Sequence, residues 1–378
     1  KLTGGMEAQV TARDIDNENL NEVLPFNTLE INPEISLVIP EFLVPFKVHR
    51  ITRYGNPKTI ISVSYNFQQR PDYTRTIFNA KFGYKWAQSQ FARHFLNPLE
   101  VNFVNIYNED AAFIERLNNL QDKLLLNTFS PHLITTTNYT YIFNNQRVNK
   151  KENFSYFKAR LESSGNILRG IMAAAQAVKD TNGSYRIFDI PFSQYLKYEL
   201  DYRRYWQLNE HSQLVFRANQ GLGYPLYNLG VLPFESSFFG GGTNGIRAWT
   251  ARSLGPGSLP DSLNVYDQFG DIKLEFNLEY RFDIYRWFKG ALFADAGNIW
   301  LIKKDDDRPG GQFQFKDFYK ELAVGAGLGI RLDFSFFIIR FDMAFPIHDP
   351  GRPLNDRWAV KYFTTKDINY NLGIGYPF

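Results

Sequence analysis

The chain has 378 residues, a formal charge of +3 and no cysteine. These figures exclude a disulfide scaffold, thiolate metal sites and cysteine nucleophiles, and they give nucleic acid no strong electrostatic reason to bind. Thirty-five Phe, 22 Tyr and six Trp are too much apolar surface for a disordered chain, yet mean hydropathy is only −0.34 and no run approaches the ~18 apolar residues of a membrane helix.

From the N-terminus, strand-like segments lie near 2–12, 29–42, 58–69, 73–88, 98–107, 132–146 and 153–164, and then near 193–206, 211–221, 270–282, 287–300, 319–334, 336–346 and 366–378. In the third, Ile61, Val63, Tyr65 and Phe67 alternate with Ser62, Ser64 and Asn66; in the fourth, Phe78, Ala80, Phe82, Tyr84 and Trp86 alternate with Asn79, Lys81, Gly83 and Lys85. Leu196, Tyr198, Leu200 and Tyr202 alternate with Lys197, Glu199, Asp201 and Arg203. The cleanest case is 271–282: Ile272, Leu274, Phe276, Leu278, Tyr280 and Phe282 against Asp271, Lys273, Glu275, Asn277, Glu279 and Arg281. A helix would scatter these charges around its circumference, whereas a strand puts them on one face. The pattern returns from Leu322 to Phe334 and from Ile368 to Phe378.

Several runs exceed the ~5–6 residues of an ordinary strand and reach the ~9–11 of a tilted membrane-crossing strand. A β-sandwich or solenoid would expose its polar faces and use shorter strands. The pattern therefore favours an all-β, transmembrane antiparallel β-barrel, apolar outside and polar inside, in which hydropathy averages out. About fourteen strands are visible. Closure is obligatory in lipid, where an open edge leaves backbone groups unpaired.

Three insertions are too long for turns. Residues 108–131 carry Phe113, Leu117 and Leu120 at helical spacing after Asp110, which suggests a helix. Residues 165–192 hold an apolar patch, Ile167-Leu168 and Ile171 through Ala175, and 222–269 is rich in Gly and Pro. Long loops on one rim and short turns on the other suit an outer-membrane barrel.

The third insertion reads Phe238-Phe239-Gly240-Gly241-Gly242-Thr243-Asn244-Gly245-Ile246-Arg247-Ala248-Trp249 and runs on to Leu254-Gly255-Pro256. It resembles the signature of the BamA/TamA family of outer-membrane assembly factors, the bacterial surface-antigen family. Their long loop folds into the barrel lumen and presents a Val-Arg-Gly-Phe-like tetrad. Here the tetrad is Ile246-Arg247-Ala248-Trp249, with Ala248 departing from the usual Gly. The Gly240-Gly241 lead-in and the Leu-Gly-Pro tail are most similar to the TamL-like branch. Leu278-Glu279-Tyr280-Arg281-Phe282 and Phe293-Ala294-Asp295-Ala296-Gly297 resemble the two family strands whose acids face the lumen. The resemblance implies that Arg247 pairs with Glu279 and Asp295. Strand parity agrees for Glu279, which shares a face with Lys273 and Glu275, and a guanidinium can fork between two carboxylates. A plain surface arginine is the competing reading.

The ending Asn371-Leu372-Gly373-Ile374-Gly375-Tyr376-Pro377-Phe378 fits the family's terminal β-signal, carried by Asn371, Gly373, Tyr376 and Phe378, a strand read by backbone pairing at a seam. It is equally a last strand with a lipid-facing aromatic girdle, and Pro377, lacking an N–H, suits a frayed edge. The family barrel has sixteen strands preceded by POTRA units. Residues 1–378 are accordingly expected to be the C-terminal membrane barrel, entered within its third strand, with the POTRA array and first strands upstream of Lys1.

No enzyme chemistry is expected. His49, His94, His132, His211 and His348 lack metal-ligand spacing, and neither a phosphate-binding glycine loop nor a serine nucleophile elbow occurs. The acids Glu109-Asp110 and Asp305-Asp306-Asp307 fall in predicted loops as solvated faces. The resemblance implies a cofactor-free factor, integral to the outer membrane of a Gram-negative-type bacterium, that inserts or folds client outer-membrane proteins through a lateral seam without nucleotide. Its implied partners are outer-membrane lipid and lipopolysaccharide, clients, and periplasmic or lipoprotein partners, with no nucleic acid. The alternatives are a two-partner-secretion-type pore or passive channel, and a structural anchor.

Overall fold

Side-chain alternation dictates the architecture. In the computed structural model, which describes residues 2–7, 10–11, 28–45, 55–69, 74–107, 130–147, 150–180, 183–260, 268–334 and 336–378, nearly every long segment is an antiparallel strand. In chain order these are β1 (Leu2–Glu7), β2 (Val10–Thr11), β3 (Thr28–Ile39), β4 (Lys58–Gln69), β5 (Thr74–Ala87), β6 (Ala92–Tyr107), β7 (His132–Asn144) and β8 (Phe154–Ser164). Next come a helix, α1 (Asn166–Ala174), and a small hairpin, β9 (Arg186–Ile187) with β10 (Ile190–Pro191). The wall resumes with β11 (Tyr195–Asn209), β12 (Ser212–Pro225), β13 (Ile272–Tyr285), β14 (Phe288–Trp300), β15 (Ala323–Asp333), β16 (Ile338–His348) and β17 (Asn369–Ile374).

The main sheet has fifteen strands in the order β1-β3-β4-β5-β6-β7-β8-β11-β12-β13-β14-β15-β16-β17-β2. It is a barrel wall turned inside out. Leu161, Leu196, Leu278, Leu292, Leu328 and Leu372 are exposed, while Asp201, Glu275, Glu279, Asp295, Arg331 and Asp342 on neighbouring strand positions are buried. A water-soluble fold reverses that distribution, whereas lipid outside and polar groups inside require it. Among the described residues β1 and β2, at the two ends of the order, do not pair with one another. Both fall in the first predicted segment, so the fourteen predicted segments account for all fifteen strands.

Three boundaries need correction. β6 begins at Ala92 rather than near 98; Pro98 sits inside it, at a register shift between Asn97 and Glu100, where a missing N–H is tolerated. β15 begins at Ala323, because Phe318–Glu321 form a 3-10 turn. β17 stops at Ile374, because Gly375 takes φ 87°, in the left-handed region that favours glycine, and turns the last residues away from the strand direction. The helix expected in 108–131, with Asp110, Phe113, Leu117 and Leu120, lies outside the described residues, as do Glu109 and His49.

Strand pairing puts the connections 165–194, 226–271, 301–322 and 349–368 on one rim and 88–91, 145–153, 210–211, 286–287 and 334–337 on the other. The first group contains the longer loops. The apolar patch of 165–192 is the helix α1.

Candidate functional site: the arm inside the barrel

The segment between β12 and β13 is an arm that enters the lumen. Its base is tied by Phe238 and Gly270, which exchange backbone hydrogen bonds of 2.9 and 2.8 Å. Gly240 bridges Leu254. Gly241 has φ 83°, and a Cβ there would lie 2.2 Å from the Thr250 carbonyl oxygen, so any side chain would push the arm's two limbs apart.

Ile246-Arg247-Ala248-Trp249 is a tight turn, closed by the Trp249 N–H donating to the Ile246 carbonyl at 3.1 Å. This places Arg247 at the apex. Its neighbours seat the turn: Ile246 packs with Leu254 and Ala323, Ala248 packs with Phe293 and Ala344, and Trp249 covers both clusters. The wall residue facing Ala248 is Gly325, whose missing Cβ would lie 2.6 Å from that of Ala248.

Arg247 is fully buried. Its Nε donates to Asp295 Oδ2 at 2.8 Å and its Nη2 to Asp295 Oδ1 at 2.9 Å, a two-pronged grip. Nη1 donates to Glu279 Oε2 at 2.6 Å and lies 3.6 Å from Asp342 Oδ2. The guanidinium carbon stands 3.4 Å from the centre of the Phe293 ring. The backbone joins the arrangement: the Arg247 N–H donates to Asp295 at 3.2 Å, and its carbonyl accepts from Asn369 Nδ2 at 2.8 Å and Asn371 Nδ2 at 2.9 Å. Burial alone would favour the neutral guanidine, but Asp295 and Glu279 outweigh it and push the Arg247 pKa up.

The acids are shared further. Arg281 Nε donates to Glu279 Oε1 at 2.8 Å, Arg331 Nη1 donates to Asp342, and Arg340 lies 3.5 Å from Asp342 Oδ2. Asn277 Nδ2 donates both to Asp295 at 2.9 Å and to the Gly245 carbonyl at 3.0 Å. Four arginines thus face three carboxylates on β13, β14 and β16. Asp342, Arg331, Arg340 and Asn277 were not singled out in the sequence. Each is a polar residue on the inward side of an alternating strand, so parity alone could have nominated them.

The C-terminal residues divide. Asn371 faces inward, bonded to the Arg247 carbonyl. Gly373 leaves room for Arg340, whose Nη2 would be 2.6 Å from a Cβ there. Tyr376 and Phe378 do not form a lipid-facing girdle. Beyond Gly375 they turn inward, with the Arg281 guanidinium 4.2 Å from the Tyr376 ring centre and Phe378 buried against Tyr205 and Val215. Cationic side chains at the lumen wall attract ring faces that lipid would only solvate.

A second attachment of the arm was missed altogether. Glu235 Oε2 accepts from His132 Nε2 on β7 at 3.0 Å, and Oε1 lies 3.4 Å from Arg75 Nε on β5. The Arg75 guanidinium stands 4.3 Å from the Phe234 ring centre. Burial would raise the Glu235 pKa, but His132 and Arg75 prevail and hold it at about 2. Below this attachment lies a polar cavity of about 310 Å³, lined in part by Glu100, Arg160, Glu162, Tyr195 and Lys197. The four described histidines lie apart: His94 bonds Tyr139, His132 bonds Glu235, His211 bonds Asp283 and His348 bonds the Leu322 carbonyl.

Comparison with known proteins places this geometry. A family model described as the Omp85 superfamily domain matches residues 50–378. The outer membrane protein assembly factor BamA of Neisseria meningitidis serogroup B is 25% identical over 203 residues, 47% of this chain and 25% of that protein. Among solved structures, BamA from Haemophilus ducreyi lacking POTRA domains 1–3 aligns with a TM-score of 0.58 at 11% identity, covering 92% of this chain and 62% of that one. CdiB from Escherichia coli aligns with a TM-score of 0.51 at 10% identity, covering 92% and 53%. The chain therefore spans a quarter of the length of the curated relative, and the two structural likenesses speak for the barrel fold.

Proposed function

The chain belongs to the Omp85 superfamily, and from that premise we propose that it is an outer-membrane factor that inserts or folds client outer-membrane proteins through a lateral seam between its first and last strands, without nucleotide. Its partners in this reading are outer-membrane lipid and lipopolysaccharide, the clients, and periplasmic or lipoprotein partners. The work is to lower a kinetic barrier, with folding of the client as the driving force; the reading requires neither cofactor nor covalent chemistry.

The observation that carries it is the arm held inside a wall of the Omp85 superfamily, with Arg247 at its apex bonded to Asp295 and Glu279; β17 supplies one edge of the proposed seam. On one side β17 pairs with β16 from Ile339↔Ile374 to Ala344↔Asn369. On the other, among the described residues, it meets β2 only at Asn369↔Thr11 and Tyr370↔Val10. A strand at such a junction can take a client strand by backbone pairing along its edge.

The test is a reversible lock. Val10→Cys combined with Tyr370→Cys, in a chain with no other cysteine, is oxidised in proteoliposomes and offered an unfolded client barrel. Client insertion stops in the oxidised form and returns on reduction. Insertion at the unlocked rate through a fully oxidised seam would discard the lateral route and favour a pore. The pore reading gains nothing from the arm, which is anchored on both sides of the lumen; planar-bilayer conductance of a chain lacking 222–269 separates the two.

A further inference from the structure

The connection from β8 to β11 is not part of the arm and carries a feature that neither seam nor lumen uses. Helix α1 has no buried residue. Ile167, Gly170, Ile171 and Ala174 recur at helical spacing and form one exposed, wholly uncharged stripe, and Val178, beyond the helix end, is also exposed. Ile167 is 66% and Ile171 59% exposed. An isolated apolar stripe of this kind has no business in water unless something covers it.

Its attachment says which side of the wall it occupies. On β8, Leu161 is exposed outward and Glu162 points inward to the lumen cavity, so Ser163 shares the outward face. On β11, Tyr195 points inward and Leu196 outward, so Gln194 shares the outward parity. Asn166, the first residue of α1, donates to Ser163 Oγ at 2.9 Å and accepts from Gln194 Nε2 at 2.9 Å. The helix thus starts on the outer face of the wall, directly above the exposed pair Leu196 and Tyr224. Its uncovered stripe continues the lipid-facing band toward the long-loop rim.

The charges match one kind of surface. From Gly165 to Lys179 the only ionisable residues are Arg169 and Lys179. Arg169 lies on the side of α1 opposite the stripe, 5.0 Å from the ring centre of Tyr227, and Lys179 lies 5.2 Å from that of Tyr185. Apolar residues below, tyrosines and two cations above, with the next acid, Asp180, held by Arg186 at 2.7 Å, describe a helix lying in the headgroup layer of an anionic membrane.

We infer that α1 is an in-plane membrane anchor: Ile167, Ile171, Ala174 and Val178 enter the acyl layer of the leaflet at the long-loop rim, and Arg169 and Lys179 sit among its phosphates. The consequence is that the wall at β8 and β11, far from β17 in the sheet order, is fixed in depth.

The absence of cysteine permits a direct test. Single variants Ile167→Cys, Ile171→Cys and Val178→Cys are spin-labelled in nanodiscs of phosphatidylethanolamine and phosphatidylglycerol, and accessibility to oxygen is compared with accessibility to a water-soluble nickel chelate. Leu161→Cys supplies the lipid standard, Asp306→Cys the water standard, and Ala173→Cys reports the flank of α1 nearer Arg169. The expected oxygen-to-nickel ratio at 167, 171 and 178 is several-fold above that at 173 and close to that at 161. Ratios at all stripe positions equal to that at 306 would overturn the anchor. So would spin–spin broadening at 171 in crowded liposomes, which would make a second copy of the chain the occupant. Barrel folding is read independently by heat-modifiable gel mobility, and each substituted site is already exposed, so a misfolded variant does not stand in for either result.

Discussion

Arg247 carries the arm's positive charge into acids on β13, β14 and β16, whereas Glu235 carries a negative charge to His132 on β7 and Arg75 on β5. Both attachments bury a charge supplied by the arm and complete it with charges supplied by the wall, so neither partner is tolerable alone. They differ in how much position they impose. The guanidinium has a two-pronged grip on Asp295, a third bond to Glu279, the Phe293 ring across its face and two asparagines on its backbone carbonyl. The carboxylate takes a hydrogen bond of 3.0 Å from His132 and a looser approach of 3.4 Å from Arg75. The Arg247 end therefore defines where the arm sits, and the Glu235 end holds the other limb against strands remote in the sheet order.

The sharpest way to break the comparison is to remove the apex charge. Arg247→Ala leaves Glu279, Asp295 and Asp342 facing one another with one guanidinium fewer, and it is expected to destabilise the barrel by about 3–5 kcal/mol, the usual cost of orphaning a buried charge. Denaturant unfolding in detergent measures it. In a double-mutant cycle with Asp295→Ala, the two losses fall well short of additive, since the second substitution relieves the charge the first one stranded. Additive losses would mean that the short distances carry no coupling and that the arm's position is set by packing alone.

Glu235→Gln should cost less, about 1–3 kcal/mol, because a neutral amide keeps the shape and one polar partner. It also differs in pH dependence. The Glu235 pKa is held at about 2 in the folded chain, below its unfolded value near ~4.3. Its contribution is therefore complete above the unfolded value and is lost as pH falls through that value toward 2. The stability gap between the parent chain and Glu235→Gln should narrow as pH is lowered from neutrality to 2. A gap unchanged over that range would show that the carboxylate's charge is not what holds this limb.

The unequal visibility of the two attachments in the sequence has a physical cause. Period-two alternation displays faces, so the wall and the inward placement of Glu279 could be read from residues 271–300, while the loop around Arg247 was legible only through the family resemblance of residues 238–256. Alternation does not display register. Which inward charges meet across strands depends on how β13, β14, β15 and β16 are offset, and Asp342 and Arg331 are opposed through pairs such as Gly329↔Asp342 and Arg331↔Arg340 that no local pattern announces. Glu235 belongs to no motif, and its partners Arg75 and His132 are distant in sequence, so only the folded arm brings the three together. The end of β17 departs from the sequence pattern for the opposite reason: the apolar alternation persists through Phe378, but the chain leaves the strand at Gly375 and carries Tyr376 and Phe378 inward.

The smallest effect concerns how closely the apex must fit its wall. Gly325 and Ala248 share one space, so Gly325→Ala forces two methyl groups toward a separation of 2.6 Å. Ala248 is pinned by Phe293 and Ala344, and overpacking at such a contact costs about 1–3 kcal/mol. Ala248→Gly alone empties only a methyl group and should cost roughly 1 kcal/mol, in line with a small cavity and a looser turn. Combined, the two exchange the methyl from arm to wall, and stability should return to within about 1 kcal/mol of the parent. Because Arg247 and Ala248 are adjacent in one turn, the overpacked variant should also weaken the grip on Asp295, so adding Arg247→Lys to Gly325→Ala should cost less than adding it to the parent. If the exchange fails to restore stability, the glycine on β15 is required by the strand itself, and the turn's third position is free to vary without it.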